Sequence, residues 1–219
     1  MSNETDRFML VPGAPCINVR ATPAQGDGRI FFSFARHAMI GFLAFLGHTK
    51  GLAKINLLSP VYMCHEVIAA LRPHTSGITF FEQGENLDFD LAAIESQCKR
   101  ENINVLLVSH LYGKRLAIKP LRELCDSLDI ILLEDSAHLP PFVLDDTPQC
   151  SHAQFFTDRK LFAVPYGASI RVCPEWRIEF GAYCKTHIAQ ITKPFAPNLP
   201  APFSSCPFTP TLCHRLSLC

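Results

Sequence analysis

Nothing in this sequence marks the chain for export or for a membrane. The first seven residues, Met1 to Arg7, are polar and carry both signs of charge, unlike the basic-then-apolar start of a signal peptide. The longest apolar stretch, residues 39–47, is far short of the ~20 residues that span a bilayer. Ten cysteines occur without one C-x-x-C pair, and with no export signal they are expected to be reduced thiols in the cytoplasm. Charge is scarce as well. Asp, Glu, Lys and Arg make up 18% of the chain, and 20 basic residues balance 20 acidic ones, so bulk charge argues for neither nucleic acid nor an anionic membrane as partner. There is no G-x-G-x-x-G, no Walker-type loop and no G-x-S-x-G elbow, which disfavours dinucleotide, nucleotide-phosphate and α/β-hydrolase readings. Metal spacing is missing too. Cys64-His65-Glu66 with His74 fits no standard site, and tail composition accounts for Cys206, Cys213, His214 and Cys219 more simply than a zinc clasp does.

What is present is a large apolar fraction, 48% of 219 residues, enough for one full domain and part of a second. Residues 1–30 read as irregular, with Pro12, Gly13, Pro15, Pro23, Gly26 and Gly28. A helix is expected over about 35–47 with Ser33 as its cap, then a strand over 55–59 and a helix over 65–71. A strand over 78–81 precedes a helix over 91–100, which Asp90 is placed to cap. Two further strands, 103–108 and 130–133, are apolar on both faces, as strands of a parallel sheet covered by helices must be. Pro120 sits where the helix between them would begin. Strand and helix alternate at crossover spacing, so residues 31–172 are expected to form a three-layer α/β domain with a mostly parallel sheet.

After about residue 172 the composition shifts. Residues 173–219 hold seven prolines and five of the ten cysteines, with no acidic residue beyond Glu179. Periodicity is not evident, so the segment is expected to be a poorly ordered tail or the product of a disrupted reading frame.

Open α/β sheets bind ligands outside the carboxyl ends of their strands, and here those ends are polar. One strand runs into Ser109-His110 and the next into Glu134-Asp135-Ser136-Ala137-His138. An acid following consecutive aliphatic residues is expected to be nearly buried and to need a cationic or hydrogen-bonding partner. Asp135 is therefore a functional candidate, with helix capping or an ordinary ion pair as the plain alternative. Residues 152–160 read as a short strand and then a turn that carries Lys160. An apolar surround would desolvate it and make it nucleophilic; a surface lysine beside Arg159 is the plain alternative.

In order along the chain, Ser-His-Leu-Tyr-Gly (109–113), Leu-Glu-Asp-Ser-Ala-His (133–138) and Arg-Lys-Leu-Phe-Ala-Val-Pro-Tyr-Gly (159–167) resemble the DegT/DnrJ/EryC1/StrS aminotransferases. These are pyridoxal-phosphate (PLP) enzymes of fold type I, many of them acting on nucleotide-linked keto sugars. Upstream, Phe34-Ala35-Arg36-His37-Ala38-Met39 is similar to the family's phosphate-side helix, and 58–64 and 86–90 to its next segments. The resemblance covers about residues 30–172. It implies that Lys160 bonds the cofactor and later moves a proton between substrate carbon and cofactor. It further implies that Asp135 keeps the pyridine nitrogen protonated, which makes the ring an electron sink. His138 matches a position near the cofactor's phenolic oxygen, the Ala35-Arg36 turn matches the phosphate loop, and Tyr62 or Cys64 lies near the ring-stacking position.

Some positions depart from the family. Phe155 stands where a phosphate-contacting serine is common, and Ala35-Arg36 replaces a Gly-Thr or Gly-Ser turn, with Arg36 a substitute anion ligand. Gly167-Ala168 replaces a pair of glycines. Family chains are longer, so the small domain is expected to be missing or incomplete. The implied function is amino transfer from an amino acid to a keto sugar in a homodimer. The alternatives are a remnant or partner subunit without turnover, and a PLP lyase or dehydratase. Lys160 argues against the dehydratases that carry histidine in its place.

Overall fold

The computed structural model describes residues 29–139, 149–161 and 167–188. Seven strands form one sheet: β1 (Ile30–Phe32), β2 (Asn56–Pro60), β3 (Gly77–Phe81), β4 (Val105–Ser109), β5 (Ile131–Asp135), β6 (Ala153–Thr157) and β7 (Ala168–Val172). Their order across the sheet is β1-β7-β6-β5-β4-β2-β3. Only β7 opposes its neighbours, pairing antiparallel with both β6 and β1; the other pairings are parallel. The carboxyl ends of β1 to β6 and the start of β7 therefore share one edge. Among the described residues five α-helices cover the faces: α1 (Ala35–Thr49), α2 (His65–Leu71), α3 (Leu91–Arg100), α4 (Ile118–Ser127) and α5 (Pro174–Tyr183). The expected three-layer α/β architecture is the observed one. No described helix is long and apolar enough to cross a membrane.

Strand pleat divides the core in two, because successive side chains leave opposite faces. Val105, Leu107, Leu133, Phe155 and Ile170 pack beneath α1 and α5, while Leu58, Leu106, Val108 and Leu132 pack beneath α3 and α4. Helix α3 begins at the expected cap: Asp90 Oδ1 accepts the amides of Ala92 and Ala93 at 2.9 and 3.2 Å. The cap of α1 differs from expectation. It is Phe34 rather than Ser33, and Phe34 makes no side-chain cap hydrogen bond. Helix α1 instead owes its stability to burial. Met39, Phe42, Leu43, Phe45 and Leu46 are all fully buried, each contributing about 1.5–3 kcal/mol by area bookkeeping.

The sharpest departure from the sequence reading lies after residue 172. The segment expected to be a poorly ordered tail starts with a structured one. Helix α5 opens with Pro174 in its first turn and continues into a single π turn, Cys184–Ile188. Trp176, Phe180, Tyr183, Cys184 and Ile188 recur at helical spacing and pack against α1. Phe180 meets Phe42 and Phe45 edge-on, at centroid distances of 5.4 and 5.2 Å. Gly41 is small for the same reason: a Cβ there would come within 3.1 Å of Ile188 Cδ1. The folded unit thus runs past the expected boundary at 172, to Ile188 at least. Residues 189–219, with Cys206, Cys213, His214 and Cys219, lie outside the described residues.

Candidate active site

The pairing Ser109↔Asp135 sets the ends of β4 and β5 side by side, so the two polar strand ends read from the sequence do converge. Asp135 is the last residue of β5 and is buried. Its Oδ1 accepts the Ala137 amide at 2.9 Å, and no other hydrogen bond reaches its carboxyl among the described residues. Burial pushes this carboxyl above the usual range; the Ala137 amide and the charges of Lys160, His138 and His110 pull it back. Lys160 ends a 3-10 turn, Asp158–Lys160, that follows β6 directly. Its side chain is exposed rather than enclosed. The apolar residues expected around it include Val164, Pro165 and Tyr166, which lie outside the described residues.

His138 stands in the turn after β5. Burial and the Lys160 charge both hold its imidazole below the ordinary value, against the opposing pull of Asp135. Its Nδ1 accepts the backbone amide of Tyr112 at 3.4 Å, which leaves the ring hydrogen of the neutral form on Nε2. The Tyr112 ring lies 5.6 Å from that of His138, and its hydroxyl is hydrogen-bonded to that of Tyr62. Tyr62 and Tyr112 belong to the loops after β2 and β4. From these adjacent strands the chain departs in opposite directions, β2 to β3 and β4 to β5, which is the topological switch point where open α/β sheets hold ligands. Of the two stacking candidates, the structure joins Tyr62 to the Asp135–His138 cluster through Tyr112. Cys64 caps α2, is exposed, and makes no such link.

The Ala35–Arg36 turn opens α1 on the same sheet edge. Two contacts tie it to the Lys160 turn. The Gly167 amide donates to the Ser33 carbonyl at 3.1 Å while its carbonyl accepts the Asp158 amide at 3.0 Å, and the guanidinium of Arg159 lies 5.3 Å from the Phe34 ring. Arg36 covers the same ring at 4.3 Å. The first turn of a helix leaves amides without intrahelical acceptors, and two guanidiniums beside it add positive charge, so an anion is favoured here. Phe155 offers no hydroxyl; it is fully buried under α1, 6.4 Å from Phe42.

Two groups escaped the sequence reading. Tyr112 is the first, and its signal is conformational: it adopts φ 51°, a strained value for a bulky residue, and is 69% exposed. The second is Gln154 with Arg171, which joins His110 and Glu134, two of the polar strand-end residues read from the sequence, in a buried polar set on the reverse face of the sheet. It borders a hollow of about 210 Å³ that also touches Arg115 and Lys119. That hollow is separated from Asp135 by the sheet, because Glu134 and Asp135 leave β5 on opposite faces.

No family model and no curated protein sequence matches the chain. Solved structures do. The alanine–glyoxylate aminotransferase of Nostoc sp. matches with a TM-score of 0.54 and 16% identity, over 72% of this chain and 43% of that one. DesI, solved in the presence of its TDP-sugar product, matches at 0.59 and 17%, over 72% and 39%. A GDP-4-keto-6-deoxymannose-3-dehydratase with bound GDP-perosamine matches at 0.55 and 17%, over 68% and 40%. At such identities the likeness is one of fold alone: the mostly parallel seven-stranded sheet with its helices matches part of the large domain of a PLP-transferase-like fold. The chain spans less than half the length of each of these proteins.

Proposed function

We propose that this chain forms the cofactor-binding part of a PLP-dependent aminotransferase of the DegT/DnrJ/EryC1/StrS type, acting in the cytoplasm on an amino acid donor and a nucleotide-linked keto sugar. The observation that carries the reading is Asp135: a buried carboxyl at the end of a central strand, one backbone donor on it, and Lys160 and His138 within electrostatic reach. Such a carboxyl suits a cationic ring N–H, whose charge would offset the cost of burial. Bound PLP supplies an electron sink for carbanion chemistry. Lys160 would bond the cofactor and then hold or release the proton moved at the substrate carbon. Its exposed position at the sheet edge gives a substrate access to Nζ. Neutral His138, with its hydrogen on Nε2, would donate to the cofactor's phenolic oxygen. The α1 first turn, with Arg36 and Arg159, would hold the phosphate in place of the hydroxyls that Ala35 and Phe155 lack. Tyr62 with Tyr112 would cover the ring. The resemblance further implies a homodimer.

One observation favours a second reading, a partner subunit without turnover: Phe155 fills the phosphate-side serine position and cannot be recruited without emptying the core. A single experiment separates the two. Purified chain is mixed with PLP, reduced with borohydride and mapped by peptide mass. Capture of the cofactor on Lys160, lost in Lys160→Ala, supports the first reading. A folded wild-type chain that captures none refutes it.

A further inference from the structure

Behind the Asp135 turn, five buried polar side chains from four neighbouring strands and their ends form one chain of hydrogen bonds. Arg171 on β7 donates from Nη2 to Gln154 Oε1 at 2.6 Å. Gln154 on β6 donates from Nε2 to Glu134 Oε1 at 2.7 Å and to Ser136 Oγ at 3.0 Å. His110, just after β4, completes the set from the other side, 2.7 Å from the same Glu134 oxygen.

The direction of each bond is fixed by chemistry. A guanidinium only donates, so Arg171 holds the amide oxygen of Gln154 toward itself and turns the NH₂ group toward Glu134 and Ser136. His110 Nδ1 accepts the Leu116 amide at 3.0 Å, so its ring hydrogen sits on Nε2 and points at Glu134. Both hydrogens of the Gln154 amide are used, and the buried cation and carboxylate are joined through a neutral group. A leucine could fill the same volume but could make none of these bonds.

Ser136 is where this network meets the candidate active site. Its neighbours in sequence are Asp135 and Ala137, whose amide binds the Asp135 carboxyl. The Ser136 amide donates to the Phe155 carbonyl at 2.8 Å, its carbonyl accepts the Leu139 amide at 3.0 Å, and its hydroxyl accepts from Gln154. Among the described residues, Gln154 is the one residue outside this turn whose side chain hydrogen-bonds it. We propose that Gln154 is a positioning residue: oriented by Arg171, it fixes through Ser136 and Glu134 the turn that sets Asp135 and His138 beside Lys160. What that turn serves rests on the function proposed above; that Gln154 fixes it does not.

The test is amide hydrogen exchange of the apo chain, corrected for intrinsic rates, in wild type, Gln154→Leu and Gln154→Glu. In Gln154→Leu the amides of residues 136–139 are expected to exchange about tenfold faster or more, the scale of losing a hydrogen bond to a buried charged group. The α3 amides should keep their wild-type rates. Unchanged exchange at 136–139, or equal acceleration of turn and α3, would overturn the proposal. The glutamate variant tests the bond itself. Its carboxyl would face Glu134, His110 and Arg171, with Arg115 and Lys119 across the adjoining hollow. Protonated, it can donate to Glu134; ionised, it cannot. Protection of 136–139 close to wild type at low pH and lost at high pH supports the proposal. Protection that does not depend on pH overturns it, and this arm decides the matter if the leucine variant does not fold. Borohydride capture of PLP on Lys160 is then compared between wild type and the folded variant, with at least a tenfold loss expected. If wild type captures none, the functional reading fails while the exchange data still decide the role of Gln154.

Discussion

Replacing Phe180 with alanine tests whether α5 belongs to the folded unit and, with it, what anchors the helix that opens the candidate phosphate turn. Phe180 is fully buried and lies edge-on to both Phe42 and Phe45 of α1. A buried Phe→Ala change costs roughly 3–5 kcal/mol, and the two edge-on pairs place this site in the upper half of that range. Against a total stability of about 5–15 kcal/mol, a loss near 4 is a large fraction. The chain carries its own reporter. Its single tryptophan, Trp176, sits on α5 within 6.4 Å of the Phe42 and Phe45 rings. Urea unfolding followed by its emission reports docking of α5 and stability of the core together. The internal control is Ile178→Ala, on the same helix but 87% exposed, expected to stay within about 0.5 kcal/mol of wild type. A Phe180→Ala loss below about 1 kcal/mol, or a wild-type emission already like that of tryptophan in water, would refute the packing argument.

Asp135→Asn should split stability from binding. Removing a buried carboxylate leaves the apo chain as stable as before or more so, by up to about 1 kcal/mol in a thermal melt. PLP retention on a desalting column should fall at least tenfold, the scale set by losing a charge-assisted hydrogen bond. His37 and His152 are held at about 4, burial being the main cause, with the charges of Arg36 and Arg122 adding to it. Their folded values lie below the ordinary 6.5, so the stability they contribute is present above that pH and is lost as pH falls toward 4. Urea midpoints should drop across that window, and His37→Phe should flatten part of the drop; a midpoint flat from 6.5 to 4 in wild type would contradict the linkage. Asp90→Ala removes the cap of α3 and should cost about 1 kcal/mol in the same urea assay, with Asp90→Asn close to neutral.

How much was legible in the sequence varied with the kind of interaction. Local rules found the strands that are apolar on both faces and the cap at Asp90, because those signals lie within a few residues of each other. The same reasoning missed α5: Trp176, Phe180, Tyr183, Cys184 and Ile188 do follow a helical stripe, but it was masked by the proline- and cysteine-rich composition beyond it. The Ser33 cap failed because the chain enters α1 one residue later, at Phe34, and the helix is buried along its length.

The candidate site shows the same division. The sequence by itself determined that Asp135 and Lys160 follow strands and that an acid after aliphatic residues would be buried, since alternation and hydrophobicity act along the chain. Only the tertiary structure decided which strands are neighbours. The parallel register Ser109↔Asp135 brings two strand ends together, and the order β4-β2-β3 sets Tyr62 against Tyr112. The bonds from Arg171 to Gln154 and on to Glu134 and His110 span sequence separations of 17 to 24 residues. No local pattern encodes such contacts, because they exist only once the sheet has set the register of each strand against the next.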